Sequence, residues 1–472
     1  MPSKVARRSV LASIPAIGAA SVVRKARASN PATVRFAFFG DEVETLAYEL
    51  LIERFHQEFP SITVEAVPVA SRNIPPVGNT LPSGGYPEWL RQSFTSGSPP
   101  DVFMLGYRDI GRYVTRGLVE PLNPYLSGSS IFSEDDFYPA ALDAFRSPFL
   151  NDNELGALPQ NASSLVVYYN TEIFDAMGID RPEFGWSWDE FASAASALTL
   201  DLDDDGRIDV HGLAFEPSIT RYAPFIWGAG GEIYDDLHAP TKLLIDTAEA
   251  RAGIQWLSWL GAAGLNVTPT AAEARELDDT RRFRSGHAAM LIQSRRVTTF
   301  LRQNSAISWD VAPLPAGKTP VNLLHSDGLA MYVGTKDKEA AWAFIEFAMG
   351  PVGQTLLAES GRTVPSLRSI AESDAFMKGT SISDALGFGF RPKSAQVFLD
   401  NVEVSRRLPS EIGWSSVVRG LDEELKNAFY GGSPVEETVQ KMLSRTSFVF
   451  ESSSTMQRRL FQLTVGGPES ED

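Results

Sequence analysis

The chain has 472 residues, enough for two or more domains with an ample apolar interior. Its 59 acidic residues outnumber 42 Lys and Arg, giving a formal charge of −17 that argues against nucleic-acid or anionic-membrane partners. There is no cysteine, which excludes disulfides, thiol catalysis, zinc–thiolate sites and a lipidated N-terminal cysteine.

In chain order, Arg7-Arg8-Ser9-Val10-Leu11 opens an uncharged, mostly apolar stretch over 10–23. Arg24, Lys25 and Arg27 follow, and Ala26-Arg27-Ala28 offers an A-x-A cleavage site. Residues 1–28 read as a twin-arginine export signal, removed after Ala28, with the mature chain free in a periplasm. The stretch is too short to span a bilayer. It holds six basic and no acidic residues, so the mature chain is more acidic still. Nutrient capture, envelope enzymology and adhesion are the classes left open.

Residues 33–39 are β-rich and end at Gly40-Asp41-Glu42. Leu46, Leu50, Phe55 and Phe59 then recur at roughly helical spacing until Pro60 stops them. Residues 62–67 alternate as a second strand, and 71–100, rich in Pro, Gly and Ser, are predicted to be mostly loop. Residues 101–105 form a buried-type strand running into Gly106-Tyr107-Arg108-Asp109. Another strand over 164–169 precedes a helix from Thr171. Trp188-Asp189-Glu190 opens a further helix, with Ser187 as its N-cap. This strand–helix alternation, without an internal repeat, predicts an α/β protein.

In the acidic loop that follows, Asp201, Asp203, Asp205 and Asp209 stand at positions one, three, five and nine, with Gly206 at six, as in a calcium-binding EF-hand loop. Position twelve is Gly212 in place of the bidentate Glu, so the loop is a candidate for weak, structural calcium, and no other cofactor is called for. The five histidines are scattered, none at metal-ligand spacing. No G-x-S-x-G, H-E-x-x-H or P-loop pattern occurs.

Seven further blocks stand in a telling order. Gly97-Ser98-Pro99-Pro100-Asp101-Val102-Phe103 leads to Gly117-Leu118-Val119-Glu120-Pro121-Leu122, and Leu158-Pro159 leads to Tyr168-Tyr169-Asn170. Then come Trp188-Asp189-Glu190-Phe191, Gly228-Ala229-Gly230-Gly231 and Phe283-Arg284-Ser285-Gly286-His287-Ala288-Ala289-Met290. Val311-Ala312-Pro313-Leu314-Pro315 follows, and Ala340-Ala341-Trp342 with Gly361-Arg362-Thr363-Val364-Pro365 closes the series. Together they resemble the family 1 extracellular solute-binding proteins of ABC importers, the maltose-binding-protein-like group.

The resemblance implies an α/β, two-lobed, periplasmic-binding-protein-like fold of type II with a ligand cleft and a multi-strand hinge. By it, 29–160 plus 327–367 form the first lobe and 161–326 plus 368–450 the second, with 451–472 a flexible tail. The implied role is capture of a small solute by hinge closure and delivery to an ABC permease, as a monomer and without catalysis. An exported lyase or glycosidase, and a binding subunit of a sensory system, are the competing readings.

The resemblance also names contacts. Asp41 and Glu42 fall on a loop that offers carboxylates to solute hydroxyls, although acids at a helix start are favoured there in any case. Tyr107 and Arg108 match a contact loop, and Ser163 sits where the hinge strand enters the second lobe. Tyr222 and Trp227 flank an apolar helix start, where core burial competes with a solute contact. Trp414 stands where a stacking aromatic is expected. Arg296, beside Arg295, replaces an aromatic stacker, and Asp327 replaces a small or aromatic residue. These replacements admit a sugar acid, a polyol phosphate, or a neutral sugar held by more polar contacts.

Overall fold

The computed structural model describes residues 31–70, 85–150, 153–302, 307–378, 392–410 and 413–465, with backbone alone at 70 and 451–465. The export segment 1–28 lies outside the described residues. Within them the strands are Ala32–Gly40 (β1), Ile62–Ala70 (β2), Val102–Gly106 (β3), Leu158–Pro159 (β4), Leu165–Asn170 (β5), His211–Ala214 (β6), Ala288–Ser294 (β7), Trp309–Ala312 (β8), Asn322–Leu323 (β9), Asp327–Met331 (β10) and Ser405–Arg406 (β11).

Two compact units share the chain. Among the described residues, the first gathers those up to 164, those of 294–302 and those of 324–403, and the second those of 165–293, 307–323 and 404 onward. The described residues of 294–302 and 368–403, expected in the second lobe, therefore belong to the first, and the passage expected after Leu367 follows Glu403. Packing gives the reason. The Arg295 guanidinium lies 4.2 Å from the ring centre of Phe376 and 4.6 Å from that of Phe398, which ties both segments together.

In the first unit the sheet order is β2-β1-β3-β10-β4. β1 runs parallel to β2 and β3, while β10 is antiparallel to β3 and β4. Phe36 and Phe38 of β1 stack at 5.1 Å, and Phe344 from the helix Lys338–Met349 reaches Phe36 at 5.0 Å. The helix Glu42–Glu58 covers the same face through Ala47, Leu51 and Phe55, and stops just before Pro60 as predicted. Between 71 and 100, expected to be mostly loop, Gly85–Thr95 is helical. The loop-forming Pro, Gly and Ser cluster on either side of it, whereas Tyr86 and Leu90 are spaced to bury one helix face. The Tyr86 hydroxyl donates to the carbonyls of Met104 (2.9 Å) and Ala37 (3.2 Å), which pins that helix to β1 and β3.

In the second unit the sheet order is β6-β7-β5-β8, with β6 parallel to β7 and β5 antiparallel to β8. The predicted helix start at Ser187 is present as a reciprocal capping box with Glu190 on Trp188–Ala197. A Cβ on Gly212 of β6 would lie 1.8 Å from the Ala195 carbonyl oxygen, so only glycine permits this strand to approach that helix. β9 and β11 pair in parallel. The helix Val435–Val465 runs into the segment 451–472 expected to be a flexible tail, of which 466–472 lie outside the described residues. Among the described residues no helix is long and apolar enough to cross a membrane.

Candidate functional site

In the first unit, the end of β1 sets up the chemistry. Asp41 caps the helix Glu42–Glu58, its Oδ1 accepting from the Glu44 amide at 2.9 Å. Its Oδ2 accepts from Arg362 Nη1 at 2.6 Å and from the Thr299 hydroxyl at 3.2 Å. Arg362 Nε lies 2.7 Å from Glu44 Oε2, so one guanidinium, 5% exposed, joins two acids. Glu44 also receives Gln160 Nε2 at 3.4 Å, and Gln160 Oε1 accepts from the Tyr48 hydroxyl at 2.5 Å. The Glu44 carboxylate is pressed against the backbone: a Cβ on Gly40 would come 2.4 Å from its Oε2. Water has little access there.

Asp327 opens β10 opposite Gly106, the last residue of β3. Its amide donates to Asn161 Oδ1 at 3.2 Å, while the Tyr107 amide donates to the Ser326 carbonyl at 3.0 Å. The carboxyl ends of parallel β1 and β3 and the start of antiparallel β10 thus converge, the sheet edge where α/β proteins hold ligands. Burial pushes the Glu44 carboxyl up to about 7, outweighing the opposing pull of Arg362. Burial also raises Asp327 against the pull of Arg296 and Arg362. Arg296 is lowered by its desolvation and by Arg362. Burial alone would lower Arg362, yet Glu44 and Asp41 hold it above its ordinary value.

The anticipated residues divide. Asp41, Arg296 and Asp327 join this cluster, with Arg108 exposed beside it and acting electrostatically on Asp327. Glu42, the first residue of the helix after Asp41, is exposed. Tyr107 is buried, and Ser163 is buried in a backbone bridge with His325. The Arg295 guanidinium is enclosed by Phe376 and Phe398.

In the second unit Tyr222, Trp227 and Trp414 all belong to the apolar core. Trp414, expected to present a ring to solute, is 3% exposed and meets Tyr234 edge-to-face at 6.0 Å. Tyr222 bonds Ser258 at 3.0 Å, and Trp227 lies under Arg406 at 4.6 Å. In the acidic loop, oxygens of Asp201, Asp203 and Asp209 lie within 4.8 Å of one another. Asp205 stands apart from that group and accepts from the Arg207 amide at 2.8 Å.

Sequence reading missed Glu44, Gln160 and Arg362. Glu44 was legible as an acid within the stripe Ala47, Tyr48, Leu51, Phe55 that buries the helix, a costly position without a partner. A second polar group also went unread. At the carboxyl ends of β6 and β7, Arg221 reaches Glu216 at 3.0 Å and Asp279 at 3.5 Å, and Gln293 donates to Asp279 at 3.3 Å.

A family model for bacterial extracellular solute-binding proteins matches residues 40–355. The chain belongs to that family. A binding protein of Brucella abortus (strain 2308) is 23% identical over 297 residues, which is 62% of this chain and 69% of that one. The erythritol/L-threitol-binding protein of Mycolicibacterium smegmatis is 25% identical over 305 residues, 60% of this chain and 62% of its own. Among solved structures, an ABC substrate-binding protein from Listeria monocytogenes in complex with cycloalternan superposes with a TM-score of 0.75 at 18% identity, covering 90% of this chain and 100% of that one. The α/β fold is therefore that of the solute-binding proteins. These relatives bind solutes, and the family role sets aside the lyase or glycosidase alternative.

Proposed function

We propose that this solute-binding protein captures a carbohydrate or polyol outside the cytoplasm and delivers it to an ABC transporter permease. The observation that carries the proposal is the cluster of Asp41, Asp327 and Arg296 at the sheet edge of the first unit. Carboxylates offer paired acceptors to hydroxyl groups, and a guanidinium offers directed donors. The erythritol/L-threitol-binding relative and the cycloalternan-bound neighbour support a hydroxyl-rich ligand. Arg362 is already engaged by two acids, which favours a neutral solute over a sugar acid or polyol phosphate. The working form is a monomer.

The test is thermal-shift screening against neutral sugars, polyols, sugar acids and polyol phosphates. Stabilisation by a neutral member without turnover is expected, since a ligand bound only by the folded state raises its melting temperature. Preferential stabilisation by the anions would overturn the neutral assignment, and product formation would overturn the binding role. Export through the twin-arginine route belongs to the same proposal. Replacing Arg7 and Arg8 by Lys should leave precursor in the cytoplasm, and normal export of that variant would count against it. The Asp201, Asp203 and Asp209 carboxylates would hold a structural calcium ion. Calorimetric titration with calcium should then show binding that Asp203→Asn abolishes.

A further inference from the structure

We propose that Arg362 and Glu44 are positioning residues for Asp41, and that solute binding at this sheet edge expels a proton held on Glu44. The proposal rests on the solute-site reading above and adds a mechanism to it. Three carboxylates share this environment with two guanidinium groups, Arg296 and Arg362. Arg108 faces the group only from the exposed side at Asp327, and Tyr48 faces it from the same helix as Glu44. Glu44, 4% exposed and pressed against Gly40, is costly as an anion even beside Arg362, so it retains a proton near neutrality.

The geometry says how that proton connects to recognition. Asp41 commits Oδ1 to the Glu44 amide, and Oδ2 to Arg362 and Thr299. Its carboxylate plane is thereby set by groups behind it. Arg362 holds that position only while its Nε rests on Glu44, and Glu44 itself is wedged between Gln160 and Gly40. Solute hydroxyls donating to Asp41 or Asp327 offset the negative charge that disfavours the Glu44 anion. With that repulsion relieved, the Glu44 proton leaves for solvent. Affinity accordingly rises with pH through neutrality, and Glu44→Gln, a fixed neutral mimic of the protonated acid, removes the dependence.

The experiment is titration calorimetry of the intact protein with erythritol and maltotriose as probes, in buffers of unlike ionisation heat. For the wild type, affinity should tighten about tenfold between about pH 6 and about pH 8, with proton release seen as a buffer-dependent enthalpy. Glu44→Gln should bind with neither dependence, while its melting curve confirms folding. Arg362→Lys should retain part of the affinity that Arg362→Met loses, because charge behind Asp41 is kept but the two-acid fork is not. Buffer-independent enthalpy in the wild type refutes the proposal while leaving the binding role intact. If neither probe binds the wild type at either pH, the neutral-solute reading fails and this proposal with it. Carboxyl-carbon NMR of the protein alone is an independent measurement: a raised midpoint at Glu44 is expected, and an ordinary midpoint there refutes the retained proton.

Discussion

Arg362→Met removes the guanidinium that joins Asp41 and Glu44 and replaces it with a shorter, unbranched apolar chain. Arg362 is 5% exposed and its partners are 20% and 5% exposed, at 2.6 and 2.7 Å. Removing one partner from a buried ion pair typically costs about 3–5 kcal/mol, because the remaining charge is left uncompensated. The lower end applies here, since Asp41 keeps some access to water and its helix-cap bond from Glu44. At about pH 8, where Glu44 is ionised, we expect a loss of about 3 kcal/mol. At about pH 5 the Glu44 carboxyl is already protonated, and the loss should shrink to about 1 kcal/mol. In a Glu44→Gln background only the Asp41 contact remains to be lost, so the pair should show a coupling energy of at least about 1 kcal/mol. Urea unfolding followed by tryptophan fluorescence, run on all four members of the cycle at both pH values, measures these quantities. A loss under about 1 kcal/mol at high pH, equal losses at both pH values, or strict additivity would refute the reasoning.

Other consequences follow from single side chains. Because the Glu44 pKa is raised in the folded state, its contribution to stability is full below the ordinary carboxylate value and is lost as pH rises through about 7. Glu44→Gln should flatten the stability profile over that window by about 3 kcal/mol, and an unchanged profile would show that Glu44 ionises normally. Trp414→Ala should destabilise the second unit by about 3–5 kcal/mol in calorimetry; a normal melting temperature with lost solute affinity would instead put the ring in a binding site. Gly212→Ala forces a methyl group into the Ala195 carbonyl and should lower stability by about 1–3 kcal/mol or more, whereas a silent substitution would mean that this strand–helix approach is looser than described.

Much of the architecture was legible because it is written locally. Strand 32–40, the helix ended by Pro60 and the capping box at Ser187 each depend on residues a few positions apart. The order of short motifs then carried the fold class. What escaped depends on distant partners. Arg362 appeared within a motif, but its role arises only when Asp41, more than three hundred residues earlier, comes within 2.6 Å. Arg295 and Arg296 are neighbours in sequence, yet one is sealed between two phenyl rings and the other joins the acid cluster. Helix or strand periodicity does not separate two adjacent arginines at the start of a three-residue 3-10 turn. Trp414 shows the complementary limit: position relative to a motif does not reveal that the ring packs against Tyr234 in the apolar core.

Asp41 serves as helix cap, as ion-pair partner and as candidate hydroxyl acceptor with a single carboxylate. Redesign of solute preference at that residue would therefore erode fold stability with every trial substitution. Asp327 begins its strand without any capping duty, so it is the more permissive address for altering selectivity. A library varied at Asp327 and Arg296 while Asp41 stays fixed should yield more folded variants than one varied at Asp41, because chemical novelty and chain integrity are there encoded by different residues.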